Sequence, residues 1–285
     1  MENIEESLLA NLSSKLGEVD PLKPIKVPQE FLEKIGLEKH FISILFIYLC
    51  FAGKDQNNWE PLEIVVKSKL PVGAGLGSSA SYNTSVVLGM MKKFRIAENM
   101  EENEKKTLLN EWSFSLECLM HGTPSGIDNS IVVNGGAITC ENRVINPINA
   151  FPQLKFLITN TTVPRSTAKL VGGVRERRNL FPKLMDPLFD VMGSVSTTAL
   201  ESFSSYHKQI ENLNSIDQNE NNCSKIEDEL QHQVENLIDI NQGLLNSIGV
   251  GHPVLDKLVN LTKKYQLHSK LTGKRFNSIS KCLFI

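Results

Sequence analysis

Between Leu70 and Ala80 the chain reads LPVGAGLGSSA. Three glycines alternate with small or apolar residues and two serines follow. Each glycine inside a regular element costs about 0.5–1 kcal/mol against alanine, so such a cluster needs a reason. The run before it, LEIVVKSKL (62–70), is rich in β-branched residues and ends at Pro71, which predicts a strand. The run after it places Val86, Val87, Met90, Met91 and Phe94 at helical spacing, which predicts a helix from a Ser78 cap to about Phe94. A strand that breaks into glycines and enters a helix frees backbone N–H groups at the positive end of the helix dipole. That arrangement is an anion cradle, and phosphate is its usual occupant. Two common phosphate loops do not match. No lysine follows the glycines as in G-x-x-x-x-G-K-[ST], and Gly73, Gly75 and Gly77 give G-x-G-x-G rather than G-x-G-x-x-G.

The chain is long enough for a large core: 285 residues, 41 % of them hydrophobic. Thirty basic residues against 32 acidic ones leave a net charge of −2, which does not point to bulk nucleic-acid binding. The five cysteines form no C-x-x-C pair, as expected of a reducing compartment. The acidic start MENIEESLLANLSSK lacks the pattern of a signal peptide, and FISILFIYLCFAG (41–53) falls short of the about 20 residues of a spanning helix. The expectation is a cytoplasmic protein with no nucleic-acid or membrane partner.

Further along, Leu37 to Ala52 reads as a buried helix, and AENMEENEKK (97–106) as a charged connection. Leu108, Leu109, Trp112, Leu116, Leu119 and Met120 outline a helix that stops at HGTPSG. IVVNGGAIT (131–139) reads as two strand pieces around a Gly-Gly turn, and LKFLITNT (154–161) as a strand. STAKLVGGVRERRNLF (166–181) reads as a helix, with Arg175, Arg177 and Arg178 on a solvated face. ENLNSIDQNENNCSK (211–225) reads as a loop, followed by helices over 230–248 and 252–265. Early strands and late helices give an α+β class, with a boundary near 145–160: residues 1–150 and 151–285.

P-x-G-A-G-L-G-S-S-A, HGTPSGIDNSIVVNGGAI (121–138), LITNTTVPRSTAKLVGGVRER (157–177), GVGHPVLDKL (249–258) and LHSKLTG (267–273) together resemble the GHMP small-molecule kinases, within them the mevalonate kinase branch. The resemblance covers roughly residues 40–273. It implies a two-lobed fold with a ribosomal protein S5 domain 2-like N-terminal part and an α/β C-terminal part. It also implies ATP-dependent phosphorylation of (R)-mevalonate to 5-phosphomevalonate, with Mg²⁺, a small-molecule partner and a possible homodimer.

By that resemblance the main chain of Gly73, Ala74, Gly75, Leu76, Gly77, Ser78 and Ser79 holds the ATP phosphates. Ser79 and Glu117 are the metal ligands, Asp128 is the catalytic acid facing the substrate hydroxyl, and Arg165 and Thr167 line the substrate pocket. Read as residues alone, Ser78 and Ser79 also fit a helix cap, Glu117 a solvated helix position and Asp128 an Asx turn. His121 receives no catalytic role. Two family strings have no counterpart: K-x-x-L-x-G-E-H-x-V-x-Y-G near the start, and A-G-G-G-G-C after Lys270–Gly273, where KRFNSISKCLFI stands instead. The expectation is a chain truncated at both ends and impaired in catalysis. The alternatives are a non-catalytic nucleotide-binding relative or another GHMP kinase.

Overall fold

The computed structural model describes residues 13–14, 16, 19–25, 39–53, 59–71, 75–122, 124–141, 144–148, 151–161, 167–216, 220–271 and 281–284. The chain divides into two compact units, Met1–Gly135 and Gly136–Ile285. Among the described residues the first unit is helical, and the second combines long helices with a small sheet. The class is α+β.

The first unit packs α1 (Lys39–Ala52), α2 (Ser78–Lys93), α3 (Glu102–His121) and α4 (Ile127–Asn134) against one another. Helix α1 carries ISILFIYLCFA almost without polar interruption, and it is buried from Ile42 through Ala52 except at Ile44. Around it lie Val87 and Met90 of α2 and Trp112, Leu116 and Leu119 of α3. Trp112 stands nearly perpendicular to Phe51, with ring centroids 5.2 Å apart, and its Nε1 donates to the Pro21 carbonyl at 2.9 Å. A buried indole needs that acceptor to avoid an unmet donor.

Helix α2 starts as expected, but Ser78 does not cap it. Gly77 occupies the cap position in the left-handed conformation (φ 70°, ψ 24°), and no side-chain hydrogen bond closes the end. Only glycine adopts that backbone without a Cβ penalty. Helix α4 repeats the device with Gly126 at φ 80°.

Several expectations are corrected. Residues 62–70 form no strand: the described residues offer no ladder partner there, and Val65 and Val66 are exposed. Residues 154–161 likewise stay outside any sheet, with Leu157 89 % exposed. β-branched composition favours a strand only where a neighbouring strand supplies hydrogen bonds and packing. The first half of IVVNGGAIT lies in helix α4, because Asn129 and Ser130 are tied to Asn110 of α3 by side-chain hydrogen bonds of 2.7 and 3.2 Å. The charged connection 97–106 ends early: α3 begins at Glu102, with Glu101 and Glu104 forming a reciprocal capping box.

In the second unit, β1 (Ala137–Glu141) is the middle strand, antiparallel to β2 (Val144–Ile148) on one side. On the other side it pairs with β3 (Lys281–Phe284), also antiparallel. Pro147 sits in β2, an edge position where a missing N–H is tolerated. Helices α5 (Thr167–Leu180), α6 (Pro182–Ile216), α7 (Glu220–Ser247) and α8 (Pro253–Lys263) follow. The expected loop 211–225 is therefore mostly helix. Of its described side chains, Glu211, Asn212, Asn222, Ser224 and Lys225 are exposed on α6 and α7, while Leu213 is half-buried. Val174, Met185, Phe189, Met192, Leu245 and Ile248 form one core of this unit, and Ala199, Phe203 and Leu230 another.

Cys50 is fully buried in α1, and burial pushes its thiol well above the ordinary range. We expect Cys50 to escape alkylation by iodoacetamide at pH 8 in the folded chain and to react fully in urea. Peptide mass spectrometry checks this, and native labelling at the unfolded rate would contradict the burial.

Candidate functional site

Helices α2, α3 and α4 pack together. Helix α3 finishes at His121, and residues 122–126 lead directly into α4. From that end the chain folds back along α3, and the first turn of α4 bonds to Asn110 in the middle of α3 through Asn129 and Ser130. A hydrogen bond from Ser79, in the first turn of α2, to Glu117, in the last turns of α3, brings the start of α2 to the end of α3.

Glu117 is 2 % exposed, on the face of α3 that also buries Ser113, Leu116 and Met120. An ionised carboxylate in such a place is costly unless donors surround it. Ser79 Oγ donates to Glu117 Oε1 at 2.8 Å, and Asn83 Nδ2 donates to the same oxygen at 2.7 Å. Ser79 and Asn83 are one helical turn apart on α2 and so share a face. His121, one turn beyond Glu117, places Nε2 3.0 Å from Ser79 Oγ and 3.8 Å from Glu117 Oε2. Asn83 is completely buried, and among the described residues its Oδ1 has no hydrogen-bond partner, nor does the Oγ1 of its neighbour Thr84. No lysine or arginine among the described residues lies within ion-pair distance of Glu117.

The donor set suits a small hard cation. Bonds of about 2.0–2.1 Å to Mg²⁺ place neighbouring octahedral oxygens about 2.9 Å apart. Ser79 Oγ and Glu117 Oε1 are separated by 2.8 Å. Among the described residues no group of three or more His, Cys, Asp and Glu side chains gathers to hold a metal alone. Two protein oxygens leave the remaining vertices to water or a phosphate-bearing ligand, the usual share for Mg²⁺.

The glycine segment feeds this end. Gly75 and Gly77 both take positive φ, 79° and 70°. The first α2 hydrogen bond runs from Ser81 N–H to the Gly77 carbonyl at 2.9 Å. The amides of Ser78, Ser79 and Ala80 therefore precede the intrahelical ladder. Asp128 lies exposed in the first turn of α4, two residues after Gly126. Ser125 Oγ accepts from Ile127 N–H at 3.3 Å and steadies the same turn.

Of the expected site residues, the structure brings Ser79 and Glu117 into direct contact and sets Gly75, Leu76, Gly77 and Ser78 at the start of α2 beside them; Asp128 adjoins Asn129, which bonds to Asn110 in the middle of α3, about two turns before Glu117. Gly73, Ala74 and Arg165 lie outside the described residues, as does the side chain of Thr167, the first residue of α5. Asn83 and His121 were missed as site residues. The signal was present: each stands four residues from an expected ligand, at the spacing that returns a helix to the same face.

Residues 43–136 match the family described as GHMP kinases N terminal domain. The chain is 37 % identical over 277 residues to a mevalonate kinase of Dictyostelium discoideum, covering 90 % of this chain and 66 % of that protein. It is 35 % identical over 294 residues to a mevalonate kinase of Mus musculus, covering 96 % and 68 %. A mevalonate kinase of Homo sapiens is 36 % identical over 249 residues, covering 81 % of this chain and 57 % of that protein. The chain thus spans about 57–68 % of the length of these relatives.

Asn83→Ala removes one of the two short donors to Glu117 Oε1. We expect a loss of about 1–3 kcal/mol of stability, the cost of an unmet buried acceptor. Urea unfolding measures it, and an unchanged midpoint would mean that Asn83 does not support Glu117.

Proposed function

This chain belongs to the mevalonate kinase family of the GHMP kinases, and from that membership we propose that it transfers the γ-phosphoryl group of ATP to the primary hydroxyl of (R)-mevalonate. The products are 5-phosphomevalonate, ADP and a proton. The observation that carries the reading is the Ser79–Glu117 pair, two hard oxygens 2.8 Å apart beside the uncapped, glycine-led start of α2.

Phosphoryl transfer demands positioning and charge neutralisation more than covalent chemistry. The amides from Gly75 to Ser79, with those of Gly73 and Ala74, would cradle the phosphate oxygens, helped by the α2 dipole. Mg²⁺, when bound, would neutralise charge on the phosphates, with Ser79 Oγ and Glu117 as its protein ligands. Asp128 orients the attacking hydroxyl and accepts its proton as the new P–O bond forms and the bond to the ADP leaving oxygen breaks. Its exposed place in the first turn of α4, two residues after Gly126, supports this role. Arg165 and Thr167 hold the mevalonate carboxylate; here the resemblance alone supports the assignment.

The direct test measures MgATP-dependent formation of 5-phosphomevalonate by this chain, alongside calorimetric binding of a non-hydrolysable ATP analogue. Absence of both turnover and nucleotide binding would overturn the reading. A substrate panel including galactose and phosphomevalonate checks the acceptor.

We expect Asp128→Asn to lower kcat by about 10²–10⁴-fold while leaving analogue binding nearly intact. Unaltered turnover would remove Asp128 from the chemistry. Glu117→Gln should raise the Mg²⁺ concentration needed for half-maximal rate by about tenfold or more. A superimposable metal titration would count against Glu117 as a ligand.

A further inference from the structure

The Ser79 hydroxyl has one proton and two acceptors in reach: Glu117 Oε1 at 2.8 Å and His121 Nε2 at 3.0 Å. Glu117 Oε1 already accepts from Asn83 Nδ2 at 2.7 Å. A carboxylate oxygen has about two lone-pair sites. With the Ser79 proton pointed at it, both sites on Oε1 are taken, and the oxygen best placed for a cation has nothing left to offer. With the proton turned to His121 instead, one site on Oε1 opens and the Ser79 oxygen keeps its outward lone pair. A neutral imidazole carrying its proton on Nδ1 accepts at Nε2, so His121 can take that hydrogen bond.

We propose that His121 is a positioning residue: by accepting the Ser79 hydroxyl hydrogen bond at Nε2, it leaves Ser79 Oγ and Glu117 Oε1 together available to a divalent cation. This rests on the metal-site reading above and extends it to a side chain that reading does not use. The placement suits the role. Glu117 is sealed in the helix interface while the His121 side chain is 52 % exposed, so His121 adjusts from outside the core. Its link crosses from the last residue of α3 to the first turn of α2, joining the two elements that supply the oxygens.

The experiment titrates Mn²⁺ into the full chain with a non-hydrolysable ATP analogue and reads free Mn²⁺ by electron paramagnetic resonance, with the analogue alone as reference. His121→Ala should weaken Mn²⁺ binding to the chain–nucleotide complex by about tenfold, the scale of losing an outer partner of a metal ligand. His121→Gln, whose amide oxygen restores an acceptor, should hold it within about threefold of the parent. His121→Phe keeps a ring without the acceptor and should behave as alanine does, which preserves the contrast if alanine loosens the end of α3. The urea midpoints of the glutamine and phenylalanine variants should match the parent. Parent-like Mn²⁺ binding by both the alanine and phenylalanine variants would overturn the positioning role, as would a glutamine variant as weak as alanine. A parent chain that adds nothing to the Mn²⁺ affinity of the analogue alone would instead overturn the metal-site reading, and this inference with it.

Discussion

A buried carboxylate organises the first unit. Glu117 sits in the seam between α2 and α3 with almost no solvent contact, and two hydrogen bonds converge on one of its oxygens. Such a group fixes geometry because alternatives are expensive: sliding or rotating α2 by even one residue would strip both donors from a charge that water does not reach. The start of α2 is thereby pinned against the end of α3. Helix α4 is pinned in turn through Asn110, whose carbonyl and side chain engage Asn129 and Ser130. The polar contacts set the register of the layer, and the hydrophobic packing around Trp112 and Leu116 supplies the bulk of its cohesion.

The same layer uses one backbone device twice. Both α2 and α4 are entered from a left-handed glycine with no capping side chain. A serine or aspartate at either cap would occupy the first-turn amides and end the matter locally. At α2 the amides of Ser78, Ser79 and Ala80 precede the helical ladder at the positive end of its dipole, whereas at α4 Ser125 Oγ accepts from Ile127 N–H. The carboxylate of Glu117 lies beside the start of α2. Amides for an anion beside oxygens for a cation form a pattern suited to a metal–polyphosphate ligand, in which each component screens the charge of the other.

Much of this was legible in the chain itself. The helical spacing of Val86, Val87, Met90 and Met91, and of Leu108 through Met120, reproduced α2 and α3 because each has one inward face. The pairing of Ser79 with Glu117 came from family resemblance, since nothing in either residue's spacing announces a contact across 38 positions. The errors share a cause. Residues 62–70 and 154–161 have strand composition, but a strand is a relation between segments, and composition describes one segment at a time. Ile131, Val132 and Val133 are β-branched and yet helical, because hydrogen bonds from Asn110 outweigh a propensity worth about 1 kcal/mol at most. The 211–225 segment misled through its polarity, which at Glu211, Asn212, Asn222, Ser224 and Lys225 belongs to exposed helix positions.

The overlooked residues make a stronger point about the site. Asn83 holds Glu117 while its own Oδ1 meets no partner among the described residues, and neither does Thr84 Oγ1 beside it. Packing alone would favour an apolar residue at so enclosed a position, because each unmet buried polar atom costs stability. A local rule broken in the interior, next to a buried carboxylate that no lysine or arginine of the described residues neutralises, marks a place shaped for something other than stability. The cost becomes intelligible if the carboxylate must remain charged and poised for a cation. Replacing Glu117 and Asn83 together by well-packed apolar side chains should then stabilise the unit, as such exchanges of buried charge often do, while removing its capacity to hold a metal.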